Sequence, residues 1–180
     1  MTAPMTSVST PGTAAGAARG EVAAPAAPLV ITVYGTPATQ GSKTRNRYGG
    51  VRDDNAVTLR PWREAVKQAA LVVMPGRERL TGPVSVTATF SFDRPQSHYG
   101  TGRNVGRLRD SAPSRPANAR SGDLDKLLRA SFDSLSDAGV WRDDSQVVSC
   151  SAVKGWVGET LPGPGLRIPG AVLIVREVSR

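Results

Sequence analysis

Pro83-Val84-Ser85-Val86-Thr87-Ala88-Thr89-Phe90-Ser91-Phe92 places an apolar residue at every second position and a hydroxyl-bearing or small polar one between. Side chains of an extended chain point alternately to opposite faces, so this stretch predicts a strand with one apolar face and one wet face. Upstream, Pro61 suits a first helical turn, and Trp62, Ala65, Val66, Ala69, Ala70 and Val73 recur at three-and-four spacing. A helix is predicted from Pro61 to the Pro75-Gly76 pair. Further upstream, the β-branched run Leu29 to Tyr34 predicts a buried strand, followed by a polar loop to about Leu59.

Downstream of Phe92, Asp93 to Gly122 has no periodic apolar pattern and carries Arg94, Arg103, Arg107, Arg109, Arg115 and Arg120. A connection of this length inside one domain is usually functional, and this one reads as a basic arm with little to pack. Leu124, Leu127, Leu128, Phe132 and Leu135 then line one face of a helix that starts near Asp125 and stops by Gly139. Strands are predicted at about Gln146 to Val157 and at Ala171 to Val178, the latter apolar on both faces and so internal to a sheet. The order β-α-β-α-β-β predicts an α+β fold, a mixed sheet with two helices packed on it.

With 180 residues there is room for one domain at the usual ~100 to 200 residues each. Residues 1–27, rich in Ala, Pro, Gly, Ser and Thr, are expected to form a disordered tail, which leaves 28–180 as the folded unit. The 23 lysines and arginines exceed the 15 acidic residues, giving a formal charge of +8, which favours a polyanionic partner such as nucleic acid. A single cysteine, Cys150, and a single histidine, His98, exclude an intrachain disulfide and a Cys/His zinc cluster within one chain. A catalytic metal would therefore sit on oxygen, and carboxylates select hard cations such as Mg²⁺ or Mn²⁺. No apolar run approaches the ~20 residues of a membrane span, and the N-terminal stretch lacks the pattern of a signal peptide, so a cytoplasmic location without membrane contact is expected.

Six of the fifteen acidic residues, Asp123, Asp125, Asp133, Asp137, Asp143 and Asp144, fall within 22 residues of this basic chain. Asp123 and Asp125 can share a ligand only if the chain is extended there, and Gly122 before them allows that. Of Asp143 and Asp144, an extended segment sends one carboxylate to each face, so one of the two is expected to join the first pair. Converging carboxylates raise one another's pKa unless a cation sits between them. Metal on carboxylates in a basic protein suits phosphodiester hydrolysis, with Arg129 one helical turn after Asp125 to steady the transition state. The same aspartates also fit helix caps, turns and an Asp125–Arg129 i,i+4 pair, and spacing leaves both readings open.

The longer string Gly122-Asp123-Leu124-Asp125-Lys126-Leu127-Leu128-Arg129-Ala130-Ser131-Phe132-Asp133-Ser134-Leu135, followed by Ala138-Gly139-Val140-Trp141-Arg142-Asp143-Asp144-Ser145-Gln146-Val147-Val148, resembles the signature of RusA-type Holliday junction resolvases. Val33 to Lys43 and the Pro61-Trp62-Arg63-Glu64-Ala65 helix resemble the actinobacterial and phage branch of that family. The resemblance implies a homodimeric, Mg²⁺-dependent endonuclease that nicks opposed strands of a four-way DNA junction, with Mn²⁺ as a substitute ion. It puts the metal carboxylates on Asp123, Asp125 and Asp144. Many relatives have lysine where this chain has Arg129, which keeps the charge but cannot donate a proton near neutral pH. Lys126 stands where others have asparagine. Lys43, Arg45, Arg47, Arg115, Arg120, Lys126 and Arg142 are the residues expected to hold DNA.

Gly35 to Thr44 imitates a phosphate-binding loop, but its spacing is wrong and no helical pattern follows, so no nucleotide cofactor is expected. Lys43, Arg45 and Arg47 with Tyr48 read as a DNA-backbone loop or a solvated one. His98 is expected on the surface and Cys150 in the core. Trp62 fits a core helix, and Trp141 either packs or stacks on a base. The competing classes are a basic DNA-binding protein in which the aspartates only cap and turn, and a metal nuclease acting on flaps, forks or RNA hybrids.

Overall fold

The structure is a computed structural model that describes residues 27–41, 43–45, 51–53 and 56–178, with 43–45 and 51–53 given as backbone. Strand β1 (Leu29–Tyr34) is followed by short strands β2 (Lys43–Arg45) and β3 (Val51–Asp53), then helix α1 (Ala56–Val73) and strand β4 (Val84–Phe92). Helix α2 (Leu124–Asp137) leads to strands β5 (Val147–Trp156) and β6 (Gly170–Glu177). Four strands form a mixed sheet in the order β1-β6-β4-β5: β6 runs antiparallel to both neighbours, and β5 runs parallel to β4. β2 and β3 pair antiparallel as a separate ribbon inside what the sequence presents as a polar loop. Most of the expected tail, including residues 1–26, lies outside the described residues, as do Arg47 and Tyr48.

Both helices pack on the face built by Val84, Val86, Ala88, Phe90 and Phe92, all buried. The tilted Trp62 and Phe90 rings lie 6.4 Å apart, joining α1 to the sheet centre. In α2, Ser131 and Ser134 are buried, and each hydroxyl donates to the carbonyl four residues earlier, so neither hydroxyl is left unpaired in the core. β6 is internal, with Ala171, Leu173 and Val175 buried on one face and Val172 buried on the other.

Several expectations need correction. Helix α1 begins at Ala56, five residues before Pro61, because Leu59 extends the buried stripe Leu59, Trp62, Val66 and Ala70 toward the N-terminus. Proline is accommodated in the second turn, where its missing N–H forfeits a single bond near the helix start. β1 is an edge strand, buried on alternate residues only, with Val30 and Tyr34 exposed. The polar face of β4 is not wet along its length: Thr89 and Ser91 are fully buried. The connection between β5 and β6 folds across them, with the Leu166 N–H donating to Ser91 Oγ at 3.0 Å.

The 93–122 arm is also better packed than its composition suggests. Its course includes three short 3-10 turns, at Gln96–His98, Gly102–Asn104 and Ala119–Ser121. The Arg94 guanidinium lies 4.8 Å over the Trp156 ring, is 7% exposed, and pairs with Glu159. His98 is half-buried and meets the same indole edge-on at 5.3 Å, so it is not the free surface residue expected. Trp156 Nε1 donates to the Pro113 carbonyl at 3.0 Å. One indole thus gathers both ends of the arm, which explains why a segment without periodicity is ordered.

Candidate functional site

The acidic candidates sit at the ends of α2. Gly122 has φ +64° and ψ −177°, a conformation essentially confined to glycine, and a Cβ there would lie 2.2 Å from Thr39 Cγ2. Asp123 follows in extended conformation at the N-cap position, and its carbonyl accepts the first helical bond from the Leu127 N–H at 3.1 Å. Its carboxylate makes no capping bond. Asp123 Oδ2 instead faces Lys126 Nζ at 2.8 Å, and that ammonium, by hydrogen bond and by charge, holds the Asp123 carboxyl below the usual carboxylate range. The same contact pushes the Lys126 ammonium upward. Asp125 lies in the first turn, exposed, and forms no ion pair with Arg129, which is exposed one turn further on.

Lys154, near the C-terminal end of β5, is a cation that the pattern of aspartates did not reveal. Its Nζ donates to the Gly122 carbonyl at 2.5 Å and to Ser121 Oγ at 3.3 Å, and its charge also favours the ionised form of Asp123. The available signal was that Lys154 is the lone charged residue within β5. Across the first turn of α2, the Gln40 N–H donates to the Lys126 carbonyl at 3.2 Å. The Gly35–Thr44 segment continues into β2 and not into a helix.

Asp143 and Asp144 have separate environments. Asp143 is the N-cap of a 3-10 turn over Asp144–Gln146: its Oδ1 accepts from the Ser145 N–H at 2.9 Å, and Gln146 closes the reciprocal capping box. Those bonds from Ser145 hold the Asp143 carboxyl below its ordinary value. Asp144, the first residue of that turn, is exposed and has no such duty. Gln146 Nε2 anchors the turn on the Leu80 and Gly82 carbonyls, at 3.1 and 2.9 Å.

Within one chain the two acidic groups are far apart. β4 and β5 are parallel, so α2 runs from the C-terminal ends of both strands back to their N-terminal ends. Asp123 and Asp125 open that helix, whereas Asp144 begins the 3-10 turn that leads into β5. Fourteen helical residues at a rise of ~1.5 Å separate the two ends by roughly 20 Å. Among the described residues, no three side chains of the metal-ligating types gather. The sequence expectation of one cluster therefore divides into a pair and a distant third residue.

The basic candidates divide in the same way. Arg115 is half exposed, with Nη1 3.5 Å from Glu159 Oε2. Arg120 lines a groove with Thr39, Trp62 and Ser121 beside the Asp123 end. Arg142 is exposed at the Asp144 end, where it lines a shallow depression with Thr81 and Ser145. The side chains of Lys43, Arg45 and Arg47 lie outside the described residues. Trp141 is fully buried, edge-on to Phe132 at 5.6 Å, and donates to Ser136 Oγ at 2.7 Å, which removes it from base stacking. Cys150 is not in the core but exposed on β5.

A comparison of the sequence with protein families matches residues 35–168, about three quarters of the chain, to the family described as Endodeoxyribonuclease RusA. A crossover junction endodeoxyribonuclease rusA of Enterobacteria phage 82 is 57% identical over 35 residues. That match covers 19% of this chain and 29% of the phage protein. No helix among the described residues is long and apolar enough to cross a membrane.

Proposed function

Because this chain belongs to the RusA endodeoxyribonuclease family, we propose that it is a metal-dependent endonuclease that resolves four-way DNA junctions by paired nicks. The observation that carries the reading is the Asp123–Asp125 pair, both exposed at the mouth of α2 inside the matched region. Exposed carboxylates without capping duties suit a hard divalent ion such as Mg²⁺ or Mn²⁺, and the Lys126 ammonium beside Asp123 is consistent with a position that accepts positive charge. When bound, such an ion supplies charge neutralisation and an activated water.

The chain's own residues supply the rest. Gly122, fixed by its backbone conformation and by Lys154, sets the direction of Asp123. Asp123 and Asp125 would hold the ion, and Lys126, now paired with Asp123, would then offer its ammonium to a phosphate oxygen. Arg129, one turn beyond Asp125, offers a guanidinium to charge developing on the scissile phosphate. Arg115, Arg120 and the loop of Lys43, Arg45 and Arg47 hold the junction arms through their phosphates. The third carboxylate is assigned to a homodimer, in which Asp144 of the partner subunit joins Asp123 and Asp125.

A labelled four-way junction incubated with protein and Mg²⁺ tests this. Paired nicks that vanish with chelator are expected, with duplex, flap and fork cut poorly. Binding without cuts in any divalent ion would instead favour a non-catalytic DNA-binding protein. Mixing two inactive variants tests the shared site. Asp123→Asn combined with Asp144→Asn restores nicking if the carboxylates come from two subunits, because a mixed dimer then holds one intact set. No recovery in a verified mixed dimer places all three in one chain.

A further inference from the structure

A groove opens between the segment after β1 and the first turns of α1, walled by Tyr34, Pro37, Thr39, Val57, Trp62 and Arg120. Its volume of about 720 Å³ lies within the ~300 to 1,000 Å³ range of clefts that hold small ligands. One wall runs into the acidic end of α2: Arg120 and Ser121 belong to it, and the Thr39 methyl group packs against Gly122, the residue before Asp123. Two features of the lining stand ready for a ligand. Tyr34, the last residue of β1, is 61% exposed, so most of its ring faces solvent at the rim. Trp62 is 2% exposed, yet its Nε1–H finds no hydrogen-bond partner among the described residues. A buried indole N–H is ordinarily paired, so an orphaned one in a groove wall calls for an acceptor from outside.

We propose that this groove receives one nucleobase of the DNA, turned out of its stack beside the branch point. An aromatic rim, an unpaired donor within and a guanidinium at the edge match the parts of a nucleotide. Tyr34 offers a stacking surface, the Trp62 indole N–H a bond to a ring nitrogen or carbonyl of the base, and Arg120 a bond to the adjoining phosphate. A bare phosphate would not use the tyrosine, and an apolar ligand would leave the indole unpaired. Every nucleobase carries such an acceptor, so this donor orients the base without choosing among the four. Extrusion costs stacking and pairing, and it costs least where the pair is already weakened. Pairs that border a branch point have lost a stacking neighbour, which makes them the cheapest to open. The identity of the ligand rests on the nuclease reading above, whereas the groove and its orphaned donor do not.

Junction affinity of the full chain, measured in chelator so that no cutting interferes, tests the site. Mispairing one base at each position flanking the branch point in turn lowers the cost of extrusion. At one position this is expected to tighten binding about tenfold, and an abasic site in place of that base is expected to remove the gain. Tyr34→Ala deletes the stacking surface, and Trp62→Phe keeps a ring against Phe90 while deleting the N–H. Each is expected to cut the gain to about twofold or less. Val30→Ala, on the exposed side of β1 and outside the groove, is expected to leave the gain intact. Should Trp62→Phe misfold, Tyr34→Ala decides alone, because its side chain is exposed. No gain at any position, or a gain that persists in both variants, overturns the proposal. A gain in a protein that cuts no junction leaves the base site standing and removes the nuclease reading. Junction cleavage without any gain does the reverse.

Discussion

Lys154 Nζ donates to the Gly122 carbonyl oxygen at 2.5 Å, tying the end of β5 to the residue before Asp123. This contact makes Lys154 a positioning residue for the Asp123 carboxylate. Lys154→Met is expected to slow junction cleavage about tenfold, equivalent to ~1.4 kcal/mol at the barrier, and to raise the Mg²⁺ concentration for half-maximal rate. Junction affinity should change by less than about twofold, since the Lys154 ammonium is engaged by Gly122 and Ser121 and is not a phosphate contact. Lys154→Arg should recover part of the rate. A loss confined to affinity would make Lys154 a DNA contact only.

Asp143 and Asp144 are adjacent but differently engaged, Asp143 capping the 3-10 turn and Asp144 exposed within it. Asp144→Asn is expected to abolish metal-dependent nicking while leaving junction binding nearly intact. Asp143→Asn keeps an oxygen acceptor for the Ser145 N–H and should keep both activity and fold. Gel-shift and cleavage assays on the two variants check the contrast, and equal losses from both would return Asp143 to the site.

Gly122→Ala forces a side chain into a glycine-only backbone region and against Thr39. A loss of ~1 to 3 kcal/mol from the backbone alone is expected in urea unfolding, with a larger fall in cleavage because Asp123 is displaced. Adding Thr39→Ser, which deletes the colliding methyl group, should recover only the steric part. Full recovery would mean that the backbone angle costs nothing.

Glu159→Gln removes the carboxylate that pairs with Arg94 and Arg115. Because Arg94 is 7% exposed, an unpaired charge remains beneath the arm, and destabilisation of about 3 kcal/mol is expected, the low end for a broken buried pair. Hydrogen exchange should rise across 93–122 before it rises in β4. Uniform exchange across both would show that the arm and sheet unfold together without this pair.

Particular residues show how much of this was legible in the sequence. Val84 to Phe92, the Leu127–Leu135 stripe and the apolar β6 follow simple periodicities, and the structure has an element at each. The helix α1 start was hidden because proline normally marks a first turn, whereas the buried Leu59 overrides it. Order in the 93–122 arm depends on Trp156, more than thirty residues away from most of it, and no local pattern carries such a contact. The exposure of Cys150 is not legible in the sequence, because burial cannot be assigned to a strand without knowing whether it lies at an edge.

At the site, Gly122 and the two aspartates after it were legible, since a helix start needs that backbone. The separation of Asp144 was not, because it follows from the parallel pairing of β4 with β5. A crossover helix between parallel strands necessarily places its beginning and the residues after its end at opposite edges of the layer. Lys154 is not legible from the aspartate pattern because it stands within an otherwise uncharged strand and outside the aspartate-rich segment.

The length of α2 also bears on safety in a cell full of DNA. If each cutting centre draws on both ends of that helix from different copies, a newly made polypeptide is inert until it meets another. Activity at low abundance then grows with the square of copy number, and dilution disarms the enzyme without any inhibitor.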